Sequence, residues 1–294
     1  MLLNGLSVST FFSLGRLHVY APICFFSTVV GLDITDRLWE FAALFTIGLA
    51  NTLALVATCA FNDVEDAYDD MSARTTRNVI AQGKASRGVG YLVASVATAL
   101  SIILAIINGV TVCLIILAIL VTTFLYSWRC VRLKSIPFLD VLAHAVTGGL
   151  IFLSSAWSSG EGVIWGDQVL PICLIFASAN VFAVLIHQLY DYEDDLRANI
   201  KTTVIVLGKK ATYWTVGGIF FLFTCLIMNE FRLGVFSLIA IMSFPIAAGG
   251  LILLSLVFSP ERPIRISKRI VPWAVNTGAA AAIIMWYLVE GLRD

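Results

Sequence analysis

Charge is the scarcest ingredient of this sequence. Only 13% of the 294 residues are Asp, Glu, Lys or Arg, 59% are hydrophobic, and mean hydropathy is +0.92. Soluble globular domains carry about 25% charged residues. That class is excluded, and a polytopic membrane protein is expected. The formal net charge is zero, so the basic excess of a nucleic-acid binder is missing and no such partner is expected. Cysteine chemistry is also thin. None of Cys24, Cys59, Cys113, Cys130, Cys173 and Cys225 forms a CxxC pair, and five lie in apolar stretches, as small core residues do. His18, His144 and His187 show no ligand spacing, which leaves zinc and haem without support. No charged n-region precedes a small-residue cleavage site, so the first span is expected to act as an uncleaved signal.

What remains is apolar sequence in lengths that match a bilayer. A spanning helix needs roughly 20 such residues. Nine candidate spans cover 17–32, 39–61, 88–107, 109–127, 137–157, 168–190, 212–229, 233–258 and 270–291. The expected fold is therefore all-α: a single-domain helical bundle of about nine transmembrane helices around a central cavity. Asn108-Gly109 predicts a tight hairpin between the third and fourth spans. Ser259-Pro260-Glu261-Arg262-Pro263 breaks the chain before the ninth. With nine spans, 16 of the 19 Lys and Arg residues fall on the face shared by the N-terminus and the loops after spans 2, 4, 6 and 8. Only Arg37, Arg232 and Arg293 fall opposite. The positive-inside rule places the basic face in the cytoplasm.

Two acidic clusters lie on that same face, each closing an apolar span: Asn62-Asp63-Val64-Glu65-Asp66-Ala67-Tyr68-Asp69-Asp70 and Asp191-Tyr192-Glu193-Asp194-Asp195. The recurrence hints at two duplicated halves. Carboxylates beside hydrophobic runs are costly and repel one another. Asn62, Asp66 and Asp70 recur every four residues, as do Asp191 and Asp195. On a helix, that spacing stacks each set on one face. Two columns of hard oxygen ligands suit Mg²⁺, which takes one or two carboxylates plus water and substrate phosphate. Arg77, Lys84, Arg132, Lys134, Arg197 and Lys201 supply cations for a diphosphate. Glu65, Asp69, Glu193 and Asp194 fall off the stacked faces.

These residues resemble the UbiA superfamily of intramembrane prenyltransferases. The family's first motif, NDxxDxxxD, is matched by Asn62-Asp63-x-x-Asp66-x-x-x-Asp70. Its second, DxxxD followed by a basic stretch and a Thr-rich run ending in Gly, is matched by Asp191 to Asp195, then Lys201-Thr202-Thr203 and Gly208. Tyr126-Ser127 followed by Arg132-Leu133-Lys134 is similar to the family's stretch after span 4. Pro137 to Asp140 is similar to archaeal members that extend carotenoids or make other lipids. Where many members have Arg-Pro before span 1, this chain has Arg16-Leu17. Where many have Asn-Arg-Pro after the first motif, it has Arg77-Asn78-Val79. Between Tyr-Ser and Arg-Leu-Lys stand Trp128, Arg129 and Cys130.

The resemblance implies transfer of a prenyl group from prenyl diphosphate to a lipophilic acceptor, an aromatic quinone precursor or other lipid, within the bilayer. Mg²⁺ is the implied cofactor. Asn62, Asp66, Asp70, Asp191 and Asp195 are the expected metal ligands, and Arg77, Lys84, Arg132, Lys134 and Lys201 the diphosphate-binding cations. Asp63, Asp66 and Asp191 are the expected catalytic carboxylates, with Asp63, Asp140 and Asp194 as alternative bases for the acceptor proton. Tyr126, Asp140, His187 and Tyr190 are candidate acceptor or carbocation contacts. Phe61, Tyr68 and Tyr192 could also shield a cation with their ring faces. A terpene cyclase built on the same site and, more remotely, a transporter remain open alternatives at this stage.

Overall fold

The structure, a computed structural model, describes residues 14–72, 78–158, 168–197, 200–233 and 263–291. The side chains of Ser72, Asp194 and 263–275 lie outside that description. The described residues form eight α-helices: α1 Leu17–Asp33, α2 Phe41–Ser72, α3 Arg87–Ile107, α4 Val110–Ser127, α5 Leu139–Ala156, α6 Val169–Arg197, α7 Thr203–Arg232 and α8 Pro263–Glu290. A short 3₁₀ turn, Leu133–Ser135, sits between α4 and α5.

Six helices, α2 to α7, are long and apolar enough to cross a membrane; α1 has 17 residues. Their outward faces carry large exposed apolar side chains such as Phe45, Ile107, Val110 and Trp214. The protein is an integral, multi-pass membrane protein. The expected count of nine spans is not reached among the described residues, and the expected span at 233–258 lies outside them. Several boundaries also differ: α7 begins at Thr203, before the expected 212, and α8 at Pro263, before 270. Helix α2 continues past residue 61 to Ser72, and α6 past 190 to Arg197. Both acidic clusters are therefore helical, because their i, i+4 side chains find partners beyond the apolar stretch. Asn108-Gly109 does form the α3–α4 hairpin, with Gly109 at φ +109°, where a side chain would be strained.

The packing route runs α3–α2–α1–α8 on one side and α4–α5–α6–α7 on the other. The contacts of α4 with α2 and α3 and of α5 with α1 join the two. The largest core cluster includes Val29, Leu32, Ile47, Ala50, Ile116, Ile119, Phe152, Ile172 and Phe176. These residues come from the halves of the helices remote from the acidic ends. Phe152 and Phe176 stack there at 5.4 Å. The cluster between α6 and α7 is much smaller, centred on Leu185, Val204 and Val216. A further cluster, including Val56, Ala60, Val64, Ile80, Val89 and Val93, packs α2 against the 79–85 loop and the start of α3 beside the first acidic motif.

Small residues bring the helices close. A Cβ on Gly31 would lie 2.5 Å from Ser155 Cβ and 2.9 Å from the Ala156 nitrogen, so α1 and α5 touch backbone to backbone. Buried polar pairs add direction: Asn51 Nδ2 donates to Ser154 Oγ at 2.8 Å, and Ser101 Oγ to the Ala50 carbonyl at 2.7 Å. Gly31→Ala must push α1 from α5, and overpacking of this kind costs about 1–3 kcal/mol. The thermal unfolding midpoint in detergent is expected to fall; an unchanged midpoint would refute the close approach.

Candidate active site

The site grows from the extension of α2. With the helix intact to Ser72, its polar face divides into two stripes. Asn62, Asp66 and Asp70 form one, and Glu65 and Asp69 the other. The second stripe docks the α4–α5 loop. Glu65 is buried and accepts from the Arg129 backbone N–H at 3.1 Å and from the Tyr91 hydroxyl at 3.3 Å, while its carbonyl accepts from Arg129 Nε at 2.8 Å. Asp69 pairs with Arg132 at 2.6 Å and Arg129 at 3.5 Å. The two acids that sequence spacing put off the metal face are thus braces for the loop.

Docking carries the loop's cations to the first stripe. Lys134 Nζ donates to Asp66 Oδ2, and Arg132 Nη2 lies 3.5 Å from Asp66 Oδ1. Burial pushes the Lys134 ammonium below the usual lysine range, while Asp66 beside it pulls the other way. Arg132 reaches this position from a left-handed backbone, φ +49°. Strain of that kind persists where surrounding contacts over-determine it, as the two carboxylates do here.

The remaining first-cluster residues are each held separately. Asn62 Nδ2 donates to Ser127 Oγ at 3.0 Å, turning its carbonyl oxygen the other way. Asp70 Oδ2 accepts from Asn78 Nδ2 at 2.8 Å. Asp63 points elsewhere: its side chain is 2% exposed and pairs with Arg16 at 2.7 Å. That places it in a partly buried ion pair at the start of α1, away from the stacked face.

On α6, Asp191 and Asp195 are half-buried, and His187 Nε2 lies 3.6 Å from Asp191 Oδ2. Helices α2 and α6 reach each other through α4 and α5. Tyr126, at the end of α4, meets the His144 ring of α5 edge-on at 5.1 Å. His144, half-buried on α5, was not singled out by spacing and is brought here by the fold.

Asp140 is completely buried. Its oxygens accept from the Val141 and Thr203 backbone N–H groups, from Gln188 Nε2 at 2.8 Å and from the Thr203 hydroxyl. Those four bonds fill a carboxylate's acceptor capacity. Asp140 joins α5, α6 and the start of α7, with no oxygen left for an acceptor. His187 and Tyr190 are exposed, as are Lys84 and Lys201. Glu193 pairs with Lys209 at 2.6 Å, and Lys209 covers the Tyr192 ring. Phe61 stacks on Phe124 at 4.5 Å. Arg77 and the Asp194 side chain lie outside the described residues.

For Mg²⁺ the donor set is suitable, since every candidate atom is a hard oxygen. The cations on Asp66 also show that the carboxylate calls for positive charge. No cluster of three or more His, Cys, Asp or Glu side chains has metal-holding geometry among the described residues. A metal here would rest on one or two carboxylates from each helix, with other ligands from substrate and water.

Fold and side chains together define a multi-pass helical membrane protein with two acidic helix ends, the first of them docked against the Arg129, Arg132 and Lys134 side chains. The chain belongs to the UbiA prenyltransferase family, whose model matches residues 21–274, and it is a prenyltransferase. The digeranylgeranylglyceryl phosphate synthase of Pyrococcus abyssi is 26% identical over 208 residues, 70% of this chain and 71% of that protein. The enzyme of the same name from Thermococcus gammatolerans is 34% identical over 94 residues, 32% of each chain. The structure of a UbiA homolog from Archaeoglobus fulgidus bound to GPP and Mg²⁺ superposes with a TM-score of 0.73 at 18% identity, covering 96% of this chain and 99% of that one. A homolog from Aeropyrum pernix K1 gives 0.70 at 15% identity, covering 92% and 98%. These structures share the fold.

Removing Lys134's charge tests the docked loop. Lys134→Met is expected to lower the rate of diphosphate release by about 100-fold, the scale of losing one electrostatic donor, with the helical fold retained by circular dichroism. A rate within a factor of two of the parent would refute the assignment.

Proposed function

We propose that the protein transfers a prenyl group from prenyl diphosphate to a lipophilic acceptor within the bilayer, with Mg²⁺ held between the α2 and α6 acidic ends. The observation that carries this reading is the docking of Lys134 and Arg132 on Asp66 of the first acidic motif, in a chain whose second motif, Asp191 to Asp195, ends α6. Asn62, Asp66, Asp70, Asp191 and Asp195 are the proposed metal-holding residues. Bound Mg²⁺ supplies charge neutralisation for the departing diphosphate.

The chain's own residues do the rest. Lys134 and Arg132 present positive charge beside Asp66 and clamp the diphosphate. Lys84 and Lys201 are exposed cations that raise the local concentration of an anionic substrate. The edge-on Tyr126–His144 ring pair is proposed to help exclude water from the reacting carbon. Both curated relatives are digeranylgeranylglyceryl phosphate synthases, which supports a lipid as acceptor. The distribution of Lys and Arg supports a cytoplasmic active-site face.

Asp66→Ala and Asp191→Ala are each expected to abolish Mg²⁺-dependent diphosphate release by purified protein in lipid. Chelation should abolish it reversibly in the parent. Mass spectrometry of lipids from membranes with and without the protein should show a product heavier by one prenyl unit. A cyclic hydrocarbon formed from prenyl diphosphate alone would overturn acceptor transfer, and full activity in either mutant would sink the site.

A further inference from the structure

Asn78 spends its whole side chain on the first acidic motif and the loop that leaves it. It is 1% exposed. Its Nδ2 donates both hydrogens, one to the Asp63 carbonyl at 2.7 Å and one to Asp70 Oδ2 at 2.8 Å. Its Oδ1 accepts from the Ile80 N–H at 2.9 Å and the Ala81 N–H at 3.2 Å. Two donors and two acceptor sites are all a carboxamide has. The Ile80 and Ala81 bonds make a local turn of the kind Asn favours. The donor bonds reach back across α2 over two turns of helix, from the backbone beside Asn62 to the carboxylate of Asp70.

We propose that Asn78 is a positioning residue that fixes one oxygen of Asp70 and thereby presents the other to the cation of the diphosphate site. The inference rests on the reading of Asn62, Asp66 and Asp70 as metal-holding residues. No cationic side chain could substitute: a lysine or arginine would neutralise Asp70, whereas a neutral amide orients it and leaves its charge intact. The turn and the orientation are separable in chemistry. An aspartate at this position keeps the acceptor oxygens for Ile80 and Ala81, loses both donors, and faces Asp70 with like charge.

The test uses full-length protein in lipid nanodiscs and two readouts. One is the Mg²⁺ concentration that half-saturates binding of geranyl diphosphate. The other is amide hydrogen exchange of the peptide holding Ile80 and Ala81, measured without metal. Asn78→Asp is expected to keep the exchange protection yet raise the half-saturating Mg²⁺ concentration about 10- to 100-fold, as loss of a partner behind a metal ligand does. Asn78→Ala is expected to lose both protection and Mg²⁺ affinity, and it carries the test alone if Asn78→Asp does not fold. Unchanged Mg²⁺ half-saturation in a folded variant overturns the proposal and leaves only a loop-capping role. If the parent protein itself binds geranyl diphosphate without Mg²⁺ dependence, the metal reading of the site fails, and the role of Asn78 falls with it.

Discussion

The pairing of Asp66 with Lys134 and Arg132 is the contact on which the active end of this molecule depends. A carboxylate next to a bilayer-spanning stretch is tolerated only with compensation. Here compensation comes from a different part of the chain, the α4–α5 loop, which must be folded back over α2 to provide it. That loop is in turn held by a second acidic stripe, Glu65 and Asp69, through Arg129 and Arg132. The cations that balance these acids are the ones proposed to meet a diphosphate, so on that reading stability and substrate recognition draw on one set of charges.

The bundle's packing makes this possible. Its largest apolar cluster lies toward the ends of the helices remote from the acids, where Phe152, Phe176 and their neighbours lock seven helices, α1 to α6 and α8, together. Close glycine contacts such as Gly31 against Ser155 hold the backbones in register there. At the other end, a smaller apolar cluster around Val64, Ile80 and Val89 is joined by polar contacts and by the Tyr126–His144 ring pair between α4 and α5. Asp140 fastens that end from below by tying α5, α6 and α7 together. The helix that carries the second acidic motif is thereby tied to its neighbours by buried hydrogen bonds.

Much of this was legible in the residues. The helical columns of Asn62, Asp66 and Asp70 follow from a four-residue repeat, which needs only helix geometry. The Asn108-Gly109 turn follows from its local chemistry. The helix extents at the acidic ends were not legible, because apolar run length measures the bilayer and not the hydrogen-bonded helix that continues beyond it. Asp63 reads like its neighbours in the motif, yet it is drawn into a partly buried pair with Arg16. Asp140 looks like a catalytic acid at the head of a helix, yet four hydrogen bonds occupy it. His144 carried no spacing signal, since Tyr126, whose ring it meets, lies on another helix.

The sequence by itself determined the solvent in which this protein lives, its helical class, its family motifs and the faces on which its ligand oxygens stand. All are properties of runs and short periods, in which neighbours along the chain are neighbours in space. Only the tertiary structure decided which acids serve as ligand candidates and which serve as braces. It also decided which cations reach them, and that Asn78 stands behind Asp70. Those assignments depend on which helix ends meet, and packing of the distant core settles that.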